Sequence, residues 1–162
     1  MLSKLDYEAL SKRYDAANPA RSWALPATLY TDPRMVEIER EAIFGRSWQF
    51  VGHAEKLRAP GSYLATTVAG KPIVAVRDRE GVLRAFYNVC RHRAHELLKG
   101  EGKANLITCP YHAWTYHLDG RLRTARGAEK QPHFKSEELC LAEVGIEEFC
   151  SLIFVNLDTS AA

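Results

Sequence analysis

The stretch that decides the fold begins with Cys90-Arg91-His92 and, after sixteen further residues, ends with Cys109-Pro110-Tyr111-His112-Ala113-Trp114. Each short segment carries one cysteine and one histidine. Structural zinc sites usually group like with like, two cysteines in one knuckle and two histidines in another. Two mixed segments that face each other instead place both thiolates on one metal and both imidazoles on a second. That is the division of ligands in a [2Fe-2S] centre of the Rieske type. A single zinc ion with mixed ligands, or four residues that never meet, are the competing readings.

Replacing two anionic thiolates by neutral imidazoles leaves the oxidised centre about neutral, so adding an electron costs less than in an all-cysteine cluster. Potentials of roughly −150 to +300 mV follow, against about −400 mV for plant-type ferredoxins. Respiratory Rieske proteins add a cysteine to each loop and join the two by a disulfide. The corresponding positions here are His95 and Tyr111, so no such bridge can form. The same proteins place a serine hydroxyl where this chain has Trp114, and an indole cannot replace its hydrogen bond to sulfide. Donors to cluster sulfurs raise the potential, so a value in the lower half of the Rieske range is expected.

Tyr87-Asn88-Val89-Cys90-Arg91-His92-Arg93, with Cys109 to Trp114, resembles the amino-terminal part of the large (alpha) subunit of Rieske non-haem iron oxygenases. Tyr30-Thr31-Asp32-Pro33 with Glu39, Ile43-Phe44 and Trp48 is similar to that family's helical lead-in, and Phe154-Val155-Asn156-Leu157 to the strand closing its Rieske domain. The likeness covers roughly residues 26 to 158. His95-Glu96-Leu97-Leu98 and the alanine of Tyr111-His112-Ala113-Trp114 look closest to members that oxidise quaternary ammonium compounds such as choline, carnitine and betaines. The commoner family pattern has glycine where this chain has Ala94 and Ala113. Alanine disfavours a positive φ, so a modest local change is expected, with the cluster kept.

The resemblance implies a mainly β fold, a Rieske-type antiparallel sandwich or barrel with two cluster-binding hairpin loops. Residues 1–47 would form the helical lead-in and 48–158 the cluster domain. Cys90, His92, Cys109 and His112 are the expected metal ligands, with Arg93, His95, Tyr111 and Trp114 around the cluster. Trp114 and Tyr111 are expected to cover it from water. No catalytic residue is assigned. In the resembled family a second domain holds a mononuclear ferrous iron by two histidines and a carboxylate. After the cluster ligands only His53, His95, His117 and His133 remain, none in a helical pair with a nearby acid. The chain is therefore expected not to act alone as a mono- or dioxygenase. Expected partners are a reductase or ferredoxin donor and the catalytic domain of the same or a neighbouring subunit, in a homotrimer or larger ring. A free-standing Rieske ferredoxin is the alternative, although such proteins are usually shorter and lack the lead-in. A zinc-binding interaction module is the second.

Composition is that of one modest domain: 162 residues, 46% hydrophobic and 26% charged. A formal charge of +2 gives no reason to expect nucleic acid. No apolar run approaches the roughly 20 residues that cross a bilayer, and the acids in Met1-Leu2-Ser3-Lys4-Leu5-Asp6-Tyr7-Glu8 argue against a secretion signal. A cytoplasmic location is expected, with Cys140 and Cys150 as thiols. Asp32 reads as a helix N-cap with Pro33 at the first position. Strands read at 48–51, 63–68, 73–77, 82–88, 106–108, 113–116, 141–146 and 151–157, with Asp119-Gly120 as a hairpin turn and a short helix from Ser136. Arg121, Arg123, Arg126 and Lys130 form a basic run that reads as a solvated loop, with docking of an acidic reductase as the functional alternative.

Overall fold

The computed structural model describes residues 15, 17–22, 24 and 27–160. The chain divides into two compact units, Met1–Glu39 and Arg40–Ala162. Helix α1, Thr28–Thr31, belongs to the first, and helix α2, Pro33–Ala42, spans the division. Asp32 caps α2 as its sequence foretold, its carboxylate accepting the Arg34 backbone N–H at 2.9 Å. Met35 and Ile38 are half-buried and Ala42 is exposed.

The second unit is mainly antiparallel β. Its strands are β1 (Gln49–His53), β2 (Ser62–Val68), β3 (Lys71–Arg77), β4 (Leu83–Tyr87), β5 (Glu101–Lys103), β6 (Ile107–Thr108), β7 (Thr115–Tyr116), β8 (Leu122–Thr124), β9 (Glu143–Phe149) and β10 (Leu152–Asn156). Seven form a sheet in the order β1-β10-β9-β4-β3-β2-β5, and three form a small sheet in the order β6-β7-β8. A one-turn 3-10 helix, Ser136–Leu139, lies where the sequence placed a short helix.

Strand β3 shows why the large sheet is covered on both faces. Its run Ile73-Val74-Ala75-Val76 is buried throughout, where a half-exposed strand would alternate. Val74 and Val76 face one core with Phe86, Cys90, Leu97, Ile107, Cys109, Trp114 and Tyr116. Ile73 packs with Ala85, Val144 and Val155 on the other side, and Ala75 with Leu57, Leu64 and Ile153. The first core joins the large sheet to the small one, and the two loops from which the sequence reading began close it. Gly120 marks the tight approach of the β7–β8 turn: its φ is +87°, and a Cβ there would lie 2.5 Å from the Phe86 ring. Asp78 is buried at the β3–β4 turn, where its carboxylate accepts the Val82 N–H and the Arg84 Nε, each at 2.7 Å.

Candidate metal centre

The first loop follows β4. Asn88, fully buried, locks its base: Nδ2 donates to the Leu98 carbonyl at 2.7 Å, Oδ1 accepts the Leu98 N–H at 3.0 Å, and the Asn88 N–H donates to the Pro72 carbonyl at 2.9 Å. A bridge between Val89 and Glu96 holds the two sides of the loop together. The second loop is the turn of the β6–β7 hairpin, with Ile107 opposite Tyr116 and Thr108 opposite Thr115.

The two loops close in the same way. The Cys90 N–H donates to the His95 carbonyl at 2.8 Å, and the Ala94 N–H to the Cys90 carbonyl at 3.0 Å. The Cys109 N–H donates to the Trp114 carbonyl at 2.8 Å, and the Ala113 N–H to the Cys109 carbonyl at 3.0 Å. In each loop the residue four past the cysteine adopts left-handed backbone, Ala94 at φ 53° and Ala113 at φ 57°. These are the positions where the commoner pattern has glycine. The loop shape is thus kept and the alanines bear its strain, on the order of 1–2 kcal/mol each.

This geometry sets the two cysteines in one core and the two histidine rings against each other. Cys90 and Cys109 are buried thiols in the same core. The rings of His92 and His112 lie 4.8 Å apart, inclined at 64°. Nδ1 of His112 is buried with no hydrogen-bond partner. An orphaned buried polar atom costs about 1–3 kcal/mol, which a metal bond to its lone pair relieves. Although the His92 side chain is exposed, partial desolvation by its packed neighbours, aided by the charges of His112 and Arg93, holds its imidazole below the usual pKa, toward the neutral form that coordinates metals. Two thiols, two imidazoles and an unsatisfied nitrogen suit a [2Fe-2S] centre. Among the described residues no group of three or more His, Cys, Asp or Glu is placed to hold one metal ion.

The surrounding residues each have a definite place. Trp114 is buried and stacks on His92, centroids 4.7 Å apart and planes within 7°, with its other neighbour Phe134 edge-on at 6.5 Å. Tyr111 lies over His112 at 3.7 Å. His95 and Arg93 are exposed, and His95 Nδ1 is 2.6 Å from the Glu96 carbonyl. In the basic run Arg121 is tied to Asp119 by its guanidinium at 2.8 Å, which leaves less charge there for docking.

Tyr116, like Asn88, has a role the sequence reading missed. Its hydroxyl, fully buried, accepts the Arg91 N–H at 3.0 Å and lies 3.4 Å from the Cys90 Sγ. An amide can only donate, so the phenolic hydrogen is left for the sulfur. Burial, and then the Cys90 thiol, push the Tyr116 pKa up, so it stays a donor. The signal was the hairpin register: Ile107 and Tyr116 pair across the turn, which sends Tyr116 back beneath the first loop.

A family model described as "Rieske [2Fe-2S] domain" matches residues 47–135. The carnitine monooxygenase oxygenase subunit of Escherichia coli (strain K12) is 48% identical over 146 residues, 90% of this chain and 39% of that protein. Chloroplastic choline monooxygenase of Beta vulgaris is 38% identical over 135 residues, 83% of this chain and 30% of that protein. A solved quaternary ammonium Rieske monooxygenase superposes with TM-score 0.83 at 46% identity, covering 87% of this chain and 39% of that one; its report concerns carnitine oxidation and inter-subunit electron transfer. The chain spans about two fifths or less of the length of these relatives.

Proposed function

The chain belongs to the Rieske [2Fe-2S] domain family, and from that premise we propose that it is the electron-entry domain of a Rieske non-haem iron oxygenase acting on a quaternary ammonium compound. The observation that carries the proposal is the pairing of two buried thiols with two facing imidazoles, one holding an unsatisfied buried nitrogen. Cys90 and Cys109 bind as thiolates, His112 through Nδ1, and His92 as the neutral imidazole. When bound, the cluster supplies a one-electron couple. Trp114 packs flat on His92 and Tyr111 lies on His112, Tyr116 holds a proton toward the Cys90 sulfur, and Asn88 fixes the loop that presents Cys90 and His92.

Residues 1–47 serve as lead-in and 48–158 as the cluster domain. The donor is a reductase or ferredoxin, and the acceptor a mononuclear iron held by a catalytic domain of the same or a neighbouring subunit. Identity to carnitine and choline monooxygenases supports the substrate class. A reducing cytoplasm is the proposed location, one that suits Cys140 and Cys150 as free thiols.

Iron and acid-labile sulfide analysis of the purified chain, followed by anaerobic reduction, tests the proposal. About two irons and two sulfides per chain, with visible absorption that bleaches on reduction and returns in air, are expected. A colourless protein holding one zinc would overturn it.

A further inference from the structure

Besides the facing rings of His92 and His112, three side-chain contacts among the described residues join the two ligand loops. Two lie toward the core: Trp114 stacked on His92, and the Tyr116 hydroxyl between Cys90 and Arg91. The third faces solvent. The ring of His95, from the first loop, lies 5.8 Å from that of Tyr111, from the second, at 41°. His95 is steadied by its Nδ1–H, which donates to the Glu96 carbonyl at 2.6 Å. Tyr111 in turn lies against His112, centroids 3.7 Å apart. A contact that starts on one loop therefore ends on a proposed ligand of the other.

We infer that His95 and Tyr111 form a non-covalent clasp that closes the two loops over the cluster and positions His112. The pair occupies the positions where respiratory Rieske proteins carry their disulfide cysteines. A ring contact can open and reclose without reductant, whereas a disulfide would be exposed to thiol exchange in a reducing compartment. Tyr111 also covers the ring whose Nδ1 is otherwise unsatisfied. When the clasp opens, His112 gains rotational freedom and water reaches the metal-bound nitrogen. The clasp rests on the cluster-binding role proposed above.

The test is a double-mutant cycle on the iron-loaded chain. Cluster loss to a chelator is followed by visible absorbance, and line width by electron paramagnetic resonance of the reduced state. Both residues are exposed, Tyr111 to 56%, so truncation leaves the core in place. His95→Ala and Tyr111→Ala should each release the cluster about three to ten times faster, in keeping with one aromatic pair, and broaden the resonance. The double variant should be no faster than the faster single. Tyr111→Phe keeps the ring and should behave as the parent. Multiplicative rates in the double variant, or a Phe variant as fast as the Ala one, would overturn the clasp. A parent chain with no iron-sulfur signal would instead overturn the cluster reading, and the clasp with it.

Discussion

Tyr116→Phe removes one oxygen and leaves the packing of the ring intact, so it isolates the hydrogen bond to the Cys90 sulfur. In the parent that hydroxyl accepts from Arg91 N–H at 3.0 Å and points its proton at a sulfur 3.4 Å away, with the residue fully buried. A hydrogen bond to a neutral partner contributes about 0.5–1.5 kcal/mol and one to a charged partner about 1.5–3 kcal/mol. The added electron makes the sulfur a better acceptor, so the bond favours the reduced state by on the order of 1 kcal/mol. For a one-electron couple a tenfold change in equilibrium, about 1.4 kcal/mol, is 59 mV. Removing the hydroxyl should therefore lower the midpoint by about 40 mV. The assay is protein-film voltammetry of parent and variant, with Tyr63→Phe as control, since that hydroxyl donates to the Lys99 carbonyl at 3.5 Å. A Tyr116→Phe midpoint equal to or higher than the parent's would refute the reasoning.

Asn88→Ala removes both side-chain bonds to Leu98 inside the core, and a loss of about 2–4 kcal/mol is expected; thermal melting by circular dichroism should show a midpoint lower by roughly 4–16 °C. Ala94→Gly and Ala113→Gly should each stabilise by about 0.5–1 kcal/mol, because the left-handed backbone seen at both positions suits glycine; a lower melting point in either variant would contradict the strain reading. Gly120→Ala puts a methyl group into the Phe86 ring at a positive φ, and urea titration should show a loss of at least about 2 kcal/mol. Asp78→Ala leaves the Val82 N–H and Arg84 without their buried partner, for a loss of about 2–3 kcal/mol in the same titration.

The cluster loops were readable because short-range spacing governs them: each needs a cysteine, a histidine two or three residues on, and a chain that doubles back. The hairpins of β2, β3 and β4 were readable from the glycine turns at Gly70 and Gly81, both at positive φ. Strand β5 was not, because Glu101, Gly102 and Lys103 are all exposed and carry no apolar alternation; it is a strand through its pairing with β2 alone. The strand read at 141–146 extends to Phe149 for a related reason, since Glu147, Glu148 and Phe149 are exposed and held by pairing with β10. The roles of Tyr116 and Asn88 were hidden because each acts on residues well apart in the chain, Tyr116 on Cys90 and Asn88 on Leu98. Composition cannot report a partner that only the register brings near. The sequence did place His95 and Tyr111 at matching points of the two loops, but that their rings meet is a fact of the fold.

Asymmetric gripping of two irons is tested most directly by pulsed electron paramagnetic resonance on the reduced chain with 15N-labelled histidine. Coupling to two histidine nitrogens on one iron, with none beyond weak backbone terms from the cysteine side, is the predicted result. A reduced signal lacking strong coupling to any labelled nitrogen would mean that His92 and His112 are not ligands, and would contradict the account.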